Sequence, residues 1–210
     1  MTGSTMDAFA DMLWSEPEGG RELNRYVILD GARDDRVFPM VHTSGLDFAC
    51  LLSGKLPRAL AKAAPYLLEL RPNHPFLHRV LEAGWGRSWG FFFTSDEELA
   101  VLRRHFRGFL KVKNDRTGKS MFFRFFDPRV LRVYLPTCTG EELVFVLDPV
   151  DTCYVEGEDP AEAWAFSLDY PAVFGEEVTL VRQVLPLGES PPMPAEEAPP
   201  EGAPAEGKKT

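Results

Sequence analysis

Residues 89–109 read WGFFFTSDEELAVLRRHFRGF, and this stretch carries the clearest structural pattern in the sequence. Its first part, Trp89–Thr94, is almost continuously apolar, which is typical of a strand covered on both faces. Ser95 and Glu98 have the spacing of a capping box, in which each side chain bonds the other residue's backbone N–H. The apolar residues that follow repeat at steps of three and four: Leu99, Leu102, Phe106 and Phe109. The stretch therefore predicts a buried strand followed by an amphipathic helix.

The chain on either side of this stretch alternates between strand and helix patterns. Runs rich in β-branched and aromatic residues predict strands at Arg25–Leu29, Tyr66–Leu70, Lys111–Lys113, Ser120–Phe126 and Val144–Leu147, and a hairpin at Thr152–Val155 and Ala163–Leu168. Helices are predicted at Met6–Leu13 with Thr5 as N-cap, at Pro75–Leu81, and from Asp127 as N-cap with Pro128 in the first position. This order predicts an α/β protein, with α+β as the alternative: a mixed β-sheet covered by helices, with a small C-terminal hairpin region.

The composition fits one globular domain followed by a tail. Of the 210 residues, 44% are hydrophobic and 26% are charged, and we assign residues 1–187 to a single domain. Residues 188–210 hold 6 of the 18 prolines and no aromatic residue, which predicts a disordered tail. The three cysteines are odd in number and lack CxxC spacing, which favours a reducing compartment. No run approaches the roughly 18 consecutive apolar residues of a membrane span, and no secretory signal pattern is present, so we expect a cytoplasmic protein without membrane contact.

The net charge of −9 is distributed unevenly. Residues 1–136 contain 20 basic and 16 acidic side chains, whereas residues 137–187 contain 1 basic and 11 acidic ones. The acidic second part argues against nucleic-acid binding, which needs a contiguous cationic surface.

Basic residues nevertheless concentrate between positions 103 and 119, where seven of them face only Asp115. Arg103, Arg104 and Arg107 lie on the predicted helix face away from the apolar stripe. Together with Lys111 they are the candidate partner-binding residues. A solvated helix face, or docking of the chain's own acidic region, remains an alternative interpretation.

Two patterns that resemble catalytic or metal sites are incomplete. Residues 86–90, GRSWG, match the G-x-S-x-G pattern of serine hydrolases around Ser88, but that motif needs a strand before the serine and a helix after it. The predicted order here is the reverse, and no histidine follows His105 to complete the usual triad. His74 and His78 have metal-ligand spacing, but a proline between them places the first outside the regular helix. We therefore expect no catalytic residues, no metal and no cofactor.

Residues 121–131 read MFFRFFDPRVL, and this segment resembles the hallmark of a known family. The family is a domain-of-unknown-function group of type VI secretion effector adaptors, also called effector chaperones, whose members typically show F-R-F-Y/W-D-P-R-V-L followed by L-P. Leu135 and Pro136 supply that last element. Further segments resemble the family in the same order, at Leu29–Ala32, Ala64–Leu70, Trp85–Gly86 and His105–Leu110. The resemblance covers residues 25–150 and leaves the divergent acidic part, 151–187, unmatched.

The resemblance implies a non-enzymatic function. Members bind a toxic effector in the producing bacterial cell and help to load it onto the valine-glycine repeat spike of the type VI secretion system. The expected partners are therefore the cognate effector and the spike protein, with specificity expected in residues 151–187. The alternative is a cytosolic immunity protein, which binds a toxin in order to neutralise it.

The motif residues also have a structural interpretation that needs no partner. Asp127 can cap a helix that starts at Pro128, and Arg124 or Arg129 can pair with Asp127 or Asp30 inside the fold. We expect these residues to stabilise the domain.

Overall fold

The computed structural model describes residues 5–16, 20–113, 117–172 and 177–188. In chain order the elements are α1 Thr5–Leu13, β1 Asn24–Asp30, α2 Val37–His42, β2 Phe48–Cys50, α3 Arg58–Lys62, β3 Pro65–Leu70, α4 Phe76–Gly84, β4 Gly90–Ser95, α5 Leu99–Arg107, β5 Lys111–Lys113, β6 Ser120–Phe122, α6 Pro128–Tyr134, a 3₁₀ turn Leu135–Thr137, α7 Gly140–Leu147, β7 Thr152–Glu156, β8 Glu162–Asp169 and β9 Thr179–Pro186. None of the helices in these ranges has the length and apolar composition that a membrane span needs.

A seven-stranded sheet organises the described part of the chain, in the order β2-β3-β1-β4-β7-β8-β9. All of its assigned strand pairs are antiparallel, so the α+β alternative is the one observed. The expected cover of helices and the C-terminal hairpin, β7–β8, are both confirmed. The strand directions are not mixed as predicted, because the helices here follow antiparallel strands instead of forming right-handed crossovers between parallel ones. Strands β5 and β6 form a separate two-stranded ribbon.

Two hydrophobic cores lie on opposite faces of the sheet. Along β1, Tyr26 and Ile28 point into a core that α5, α6 and α7 cover, and this face is called the α5 face. Val27 and Leu29 point into a second core, shared with α1, α2 and α4, which is called the α4 face. The central strands are therefore buried on both sides, as the continuous apolar runs predict.

The capping box lies elsewhere than predicted. Ser95 is the last residue of β4, and its hydroxyl accepts a hydrogen bond from the Glu97 N–H at 3.0 Å. Helix α5 begins at Leu99 without a side-chain cap from Glu98. The reciprocal pair is instead Thr139 with Glu142, at the start of α7.

The predicted strand Val144–Leu147 is wrong, because these residues form the second half of α7. Leu143, Val146 and Leu147 are buried at helical spacing, and a four-residue apolar run does not by itself distinguish a strand from a helix. The predicted strand Ser120–Phe126 ends at Phe122, and the chain then turns inward. Strand β9 was not predicted.

Helices α2 and α3 and strand β2 are likewise absent from the sequence predictions. The predicted helices agree closely with the structure. Asp127 is the N-cap of α6 and Pro128 is its first residue, as predicted. Helix α1 already includes Thr5, and α4 begins one residue after Pro75. Residues 114–116 of the predicted turn, and the predicted disordered tail apart from Gly188, lie outside the described residues.

Candidate functional site

The family-like motif lies where β1 ends and α6 begins. Asp30 is the last residue of β1, and its side chain is 1% exposed. The carboxylate accepts a hydrogen bond from the Ala32 N–H at 3.0 Å and forms an ion pair with Arg124, which is 94 positions away in the chain. The Arg124 guanidinium also lies over the Phe126 ring at 6.0 Å. A charge buried this deeply needs such a partner, so Arg124 ties the segment before α6 to the end of β1.

The second acidic residue, Asp127, is hydrogen-bonded to Arg129 in the first turn of α6, the helix that it caps. Asp127 accepts hydrogen bonds from the Arg129 N–H at 3.0 Å, from Nε at 3.0 Å and from Nη2 at 2.7 Å. Burial alone raises the pKa of Asp127, but the hydrogen bonds and charge of Arg129 outweigh it and lower that pKa below its ordinary value. Pro128 is buried beside it. The Asp127 N–H also donates to the Arg124 carbonyl at 3.1 Å, which joins this pair to the pair of Arg124 with Asp30. Arg124, Asp30, Asp127, Pro128 and Arg129 together are called here the motif lock.

The side chains of the motif lock make contacts that stabilise the fold. Both carboxylates are occupied by guanidinium groups, and both lie below the surface. The backbone at this point is equally constrained, because a Cβ on Gly31 would collide with the carbonyl oxygens of Lys62 and Ala64. The geometry stabilises the junction between the sheet and the α5-face helices.

The G-x-S-x-G segment forms a turn between α4 and β4, so the predicted reversed order is confirmed. Ser88 has a φ of +57° and is 6% exposed. Its hydroxyl donates to Glu156 Oε1 at 2.9 Å, and the same carboxylate accepts from the Ser88 N–H at 2.9 Å and the Gly86 N–H at 2.7 Å. The carboxylate thus holds a strained turn in place, and the serine hydroxyl points away from solvent.

Glu156 is the residue of this site that sequence reasoning missed. It lies on β7, 68 positions after Ser88, and no local pattern connects the two. Burial raises the pKa of Glu156, and the hydrogen bonds from Ser88 and Gly86 offset the increase only in part. Arg132 lies close by and donates through Nη1 to the backbone carbonyls of Glu156 and Gly157. The sequence of this region carries no signal that points to Glu156. The positive φ of Ser88, which marks the turn as unusual, becomes apparent only in the structure.

The histidines do not come together as a metal site. His74 lies before α4, as predicted, and its Nδ1 accepts from the Phe76 N–H at 3.3 Å. His78 faces Asp7 at 3.9 Å. In the ranges that the structure describes, no three His, Cys, Asp or Glu side chains form a group able to hold a metal ion.

The four candidate partner-binding residues have different environments. Arg103 is half-buried, and its Nε donates to the Cys50 carbonyl of β2 at 3.0 Å. Arg104, Arg107 and Lys111 are exposed along the end of α5 and the start of β5. The structure therefore uses Arg103 to hold α5 against the sheet edge and leaves the other three at the surface.

The comparisons with known proteins give one match. The family described as a domain of unknown function, DUF4123, matches residues 25–144, which is more than half of the chain. The chain belongs to the DUF4123 family. No curated protein and no solved structure matches it. DUF4123 proteins are generally linked to type VI secretion effector adaptors.

The DUF4123 match includes the whole motif lock but only the Ser88 side of the site that Ser88 forms with Glu156. All five residues of the motif lock lie within residues 25–144, as does Ser88. Glu156 and the strands β7, β8 and β9 lie beyond the matched residues. The sheet is therefore continuous across the end of the DUF4123 match, because β7 pairs with β4.

Proposed function

We propose that this chain is a non-enzymatic adaptor of a type VI secretion system. It binds a toxic effector in the cytosol of the producing bacterium and helps to load it onto the valine-glycine repeat spike. The DUF4123 match over residues 25–144 is the single observation that carries this proposal. Its partners are accordingly two proteins, with no role for nucleic acid or a membrane.

The local geometry supports a binding function over catalysis. The most reactive-looking group, Ser88, is buried and hydrogen-bonded to a carboxylate, whereas a nucleophile must reach a substrate carbonyl. The carboxylates of the motif lock are engaged with arginines and are buried. The exposed charged surface, where proteins meet proteins, is the better candidate for the functional region.

Co-expression with the products of the neighbouring genes tests the proposal. An adaptor must form a complex with a toxin, and that complex must also retain the spike protein when both partners are present. The toxin bound in this complex should keep its catalytic activity, because an adaptor only carries it.

An immunity protein gives the opposite result. It covers the active site of the toxin, so the complex is inactive and the spike protein does not co-purify. That pair of observations would overturn the adaptor proposal in favour of toxin neutralisation.

A further inference from the structure

We propose that the end of α5 and the ribbon β5–β6 form a docking surface for an acidic protein segment that also carries apolar side chains. This surface is called the hairpin surface, and it consists of Arg104, Arg107, Lys111, Lys113, Lys119 and Phe122. The inference rests on the proposed function in assigning that segment to the effector.

The first observation is that the cations of the hairpin surface are exposed and have no ion-pair partner in the part of the chain that the structure describes. Among the described residues, none of its five basic side chains has a carboxylate within ion-pair distance. The described residues from Leu99 to Arg124 contain no acidic side chain at all. Other exposed arginines differ, since Arg36 pairs with Asp34 at 2.6 Å and Arg71 with Asp47 at 2.7 Å. The hairpin surface therefore concentrates positive charge that no described carboxylate neutralises by an ion pair.

The second observation is that the large apolar side chain of Phe122, which is 51% exposed, lies among these cations. Its neighbour Met121 is 49% exposed but points to the other face of the ribbon with Val112, because successive side chains of a strand alternate between its two faces. The strand register places Lys111 directly opposite Phe122, so a cation and an aromatic ring share one face of the ribbon. A two-stranded ribbon alone is marginally stable in water, and this one is anchored by the Phe123 N–H to the Leu110 carbonyl at 3.1 Å. Packing against a partner would cover the Phe122 ring and stabilise the ribbon.

The combination of charges selects a protein segment over an extended polyanion. A nucleic-acid strand needs several aromatic rings for stacking, whereas Phe106, Phe109 and Phe125 are buried in the core and β5 and β6 contain a single aromatic residue, Phe122. A membrane or a long nucleic acid extends along the protein beyond this contact, so it also comes close to the acidic remainder of a chain with a net charge of −9. A short acidic segment meets only the local cations, because salt screens charges beyond about 10 Å.

Matched charge reversals test the surface. The first variant is Arg104→Glu, Arg107→Glu and Lys111→Glu. The control is Arg58→Glu, Lys62→Glu and Arg79→Glu, whose positions are exposed on α3 and α4 on the opposite face of the sheet. Both variants change the net charge equally, so a difference between them reports position. A second pair compares Phe122→Ser, on the hairpin surface, with Leu60→Ser, at an exposed apolar residue of α3.

The probe is a fluorescein-labelled 18-residue amphipathic peptide with glutamate on one face and leucine on the other, followed by fluorescence anisotropy at low salt. We expect the wild-type chain and both control variants to bind it, and each hairpin-surface variant to bind about tenfold more weakly. A companion peptide with serine in place of leucine should bind more weakly than the parent. Equal binding by the charge-reversed variant, or no binding by the wild type, overturns the proposal.

Further measurements show whether the effector uses this surface and which class of partner binds there. The effector from the co-expression experiment should associate about tenfold more slowly with the charge-reversed variant than with its control. If the peptide binds but no neighbouring gene product does, the adaptor function fails and the surface remains. If the effector binds all variants alike, the surface fails and the function remains. Tighter binding to phosphatidylglycerol vesicles or to a single-stranded RNA, or a dimer that the reversal abolishes, would instead assign the surface to a membrane, a nucleic acid or a second copy.

Discussion

The motif lock and the hairpin surface are adjacent in the chain and similar in composition, yet the fold uses them in opposite ways. Residues 121–126 read MFFRFF, and the boundary between the two regions falls inside this run. Phe122 is exposed, whereas Phe125 and Phe126 are buried in the α5-face core. Arg124 forms an ion pair with Asp30, whereas Lys111 and Lys113 form none with any described carboxylate. Arginine and phenylalanine content therefore says little about function until the distant partner of each side chain is known.

The largest expected contrast is between two phenylalanines of this run. Phe125 packs against Phe106 with ring centroids 5.6 Å apart, so Phe125→Ala leaves a cavity in the core and should cost about 3–5 kcal/mol of unfolding free energy. Phe122→Ala removes a half-exposed ring and should cost less than about 0.5 kcal/mol. Urea denaturation of both variants measures the difference. Equal losses would mean that the ribbon is part of the core.

A smaller effect is expected within the motif lock. Asp127→Ala removes the N-cap of α6 and the partner of Arg129, and should lower the unfolding free energy by about 0.5–2 kcal/mol. Asp35→Ala is the control, because that aspartate is exposed and the loss there should be negligible.

The stabilisation by Asp127 also depends on pH with a defined sign. Its pKa in the folded chain is lowered from the ordinary value of 3.8, so its contribution is present above that value and disappears as the pH falls through the lower, folded-state pKa. The difference in thermal unfolding midpoint between the wild type and Asp127→Ala should therefore shrink in acid. A difference that stays constant down to the lowest measurable pH would contradict the ion pair with Arg129.

Glu156 should show the opposite dependence on pH. Burial raises its pKa in the folded chain above the ordinary value of 4.5, so folding favours the protonated form. The wild type should gain stability relative to Glu156→Gln as the pH falls from neutral to the ordinary value, and the gain should level off below it. Measuring both variants in the same pH series compares the two carboxylates directly. A slope of the same sign for Glu156 and Asp127 would contradict the assigned difference in environment.

The sequence predicts local features of this fold well and long-range ones poorly. The cap at Asp127 and Pro128 and the apolar runs of β1, β3 and β4 are recognisable because neighbouring residues determine them. The helix α7 was predicted as a strand because four apolar residues fit either period, and the signal of Thr139 with Glu142 was overlooked. Strand β9 is not predicted because five of its eight side chains are exposed, the other three are partly buried, and the two kinds do not alternate.

The candidate sites divide in the same way. The sequence predicts that Arg124 or Arg129 pairs with Asp127 or Asp30, but which arginine pairs with which aspartate becomes clear only from the structure. The role of Glu156 and the bond from Arg103 to the Cys50 carbonyl both join residues more than fifty positions apart. Such contacts depend on which strands become neighbours in the sheet, and no short stretch of sequence determines that order.

The most direct test of the division between these regions measures stability and effector association on the same two variants. Arg104→Glu with Arg107→Glu and Lys111→Glu should keep the wild-type unfolding midpoint and slow association with the effector about tenfold at low salt, with the effect shrinking as salt is added. Asp127→Ala should lower the midpoint and leave the association rate of the folded protein unchanged. An Asp127→Ala protein that melts like the wild type but no longer captures the effector, together with unimpaired capture by the charge-reversed variant, would contradict the account.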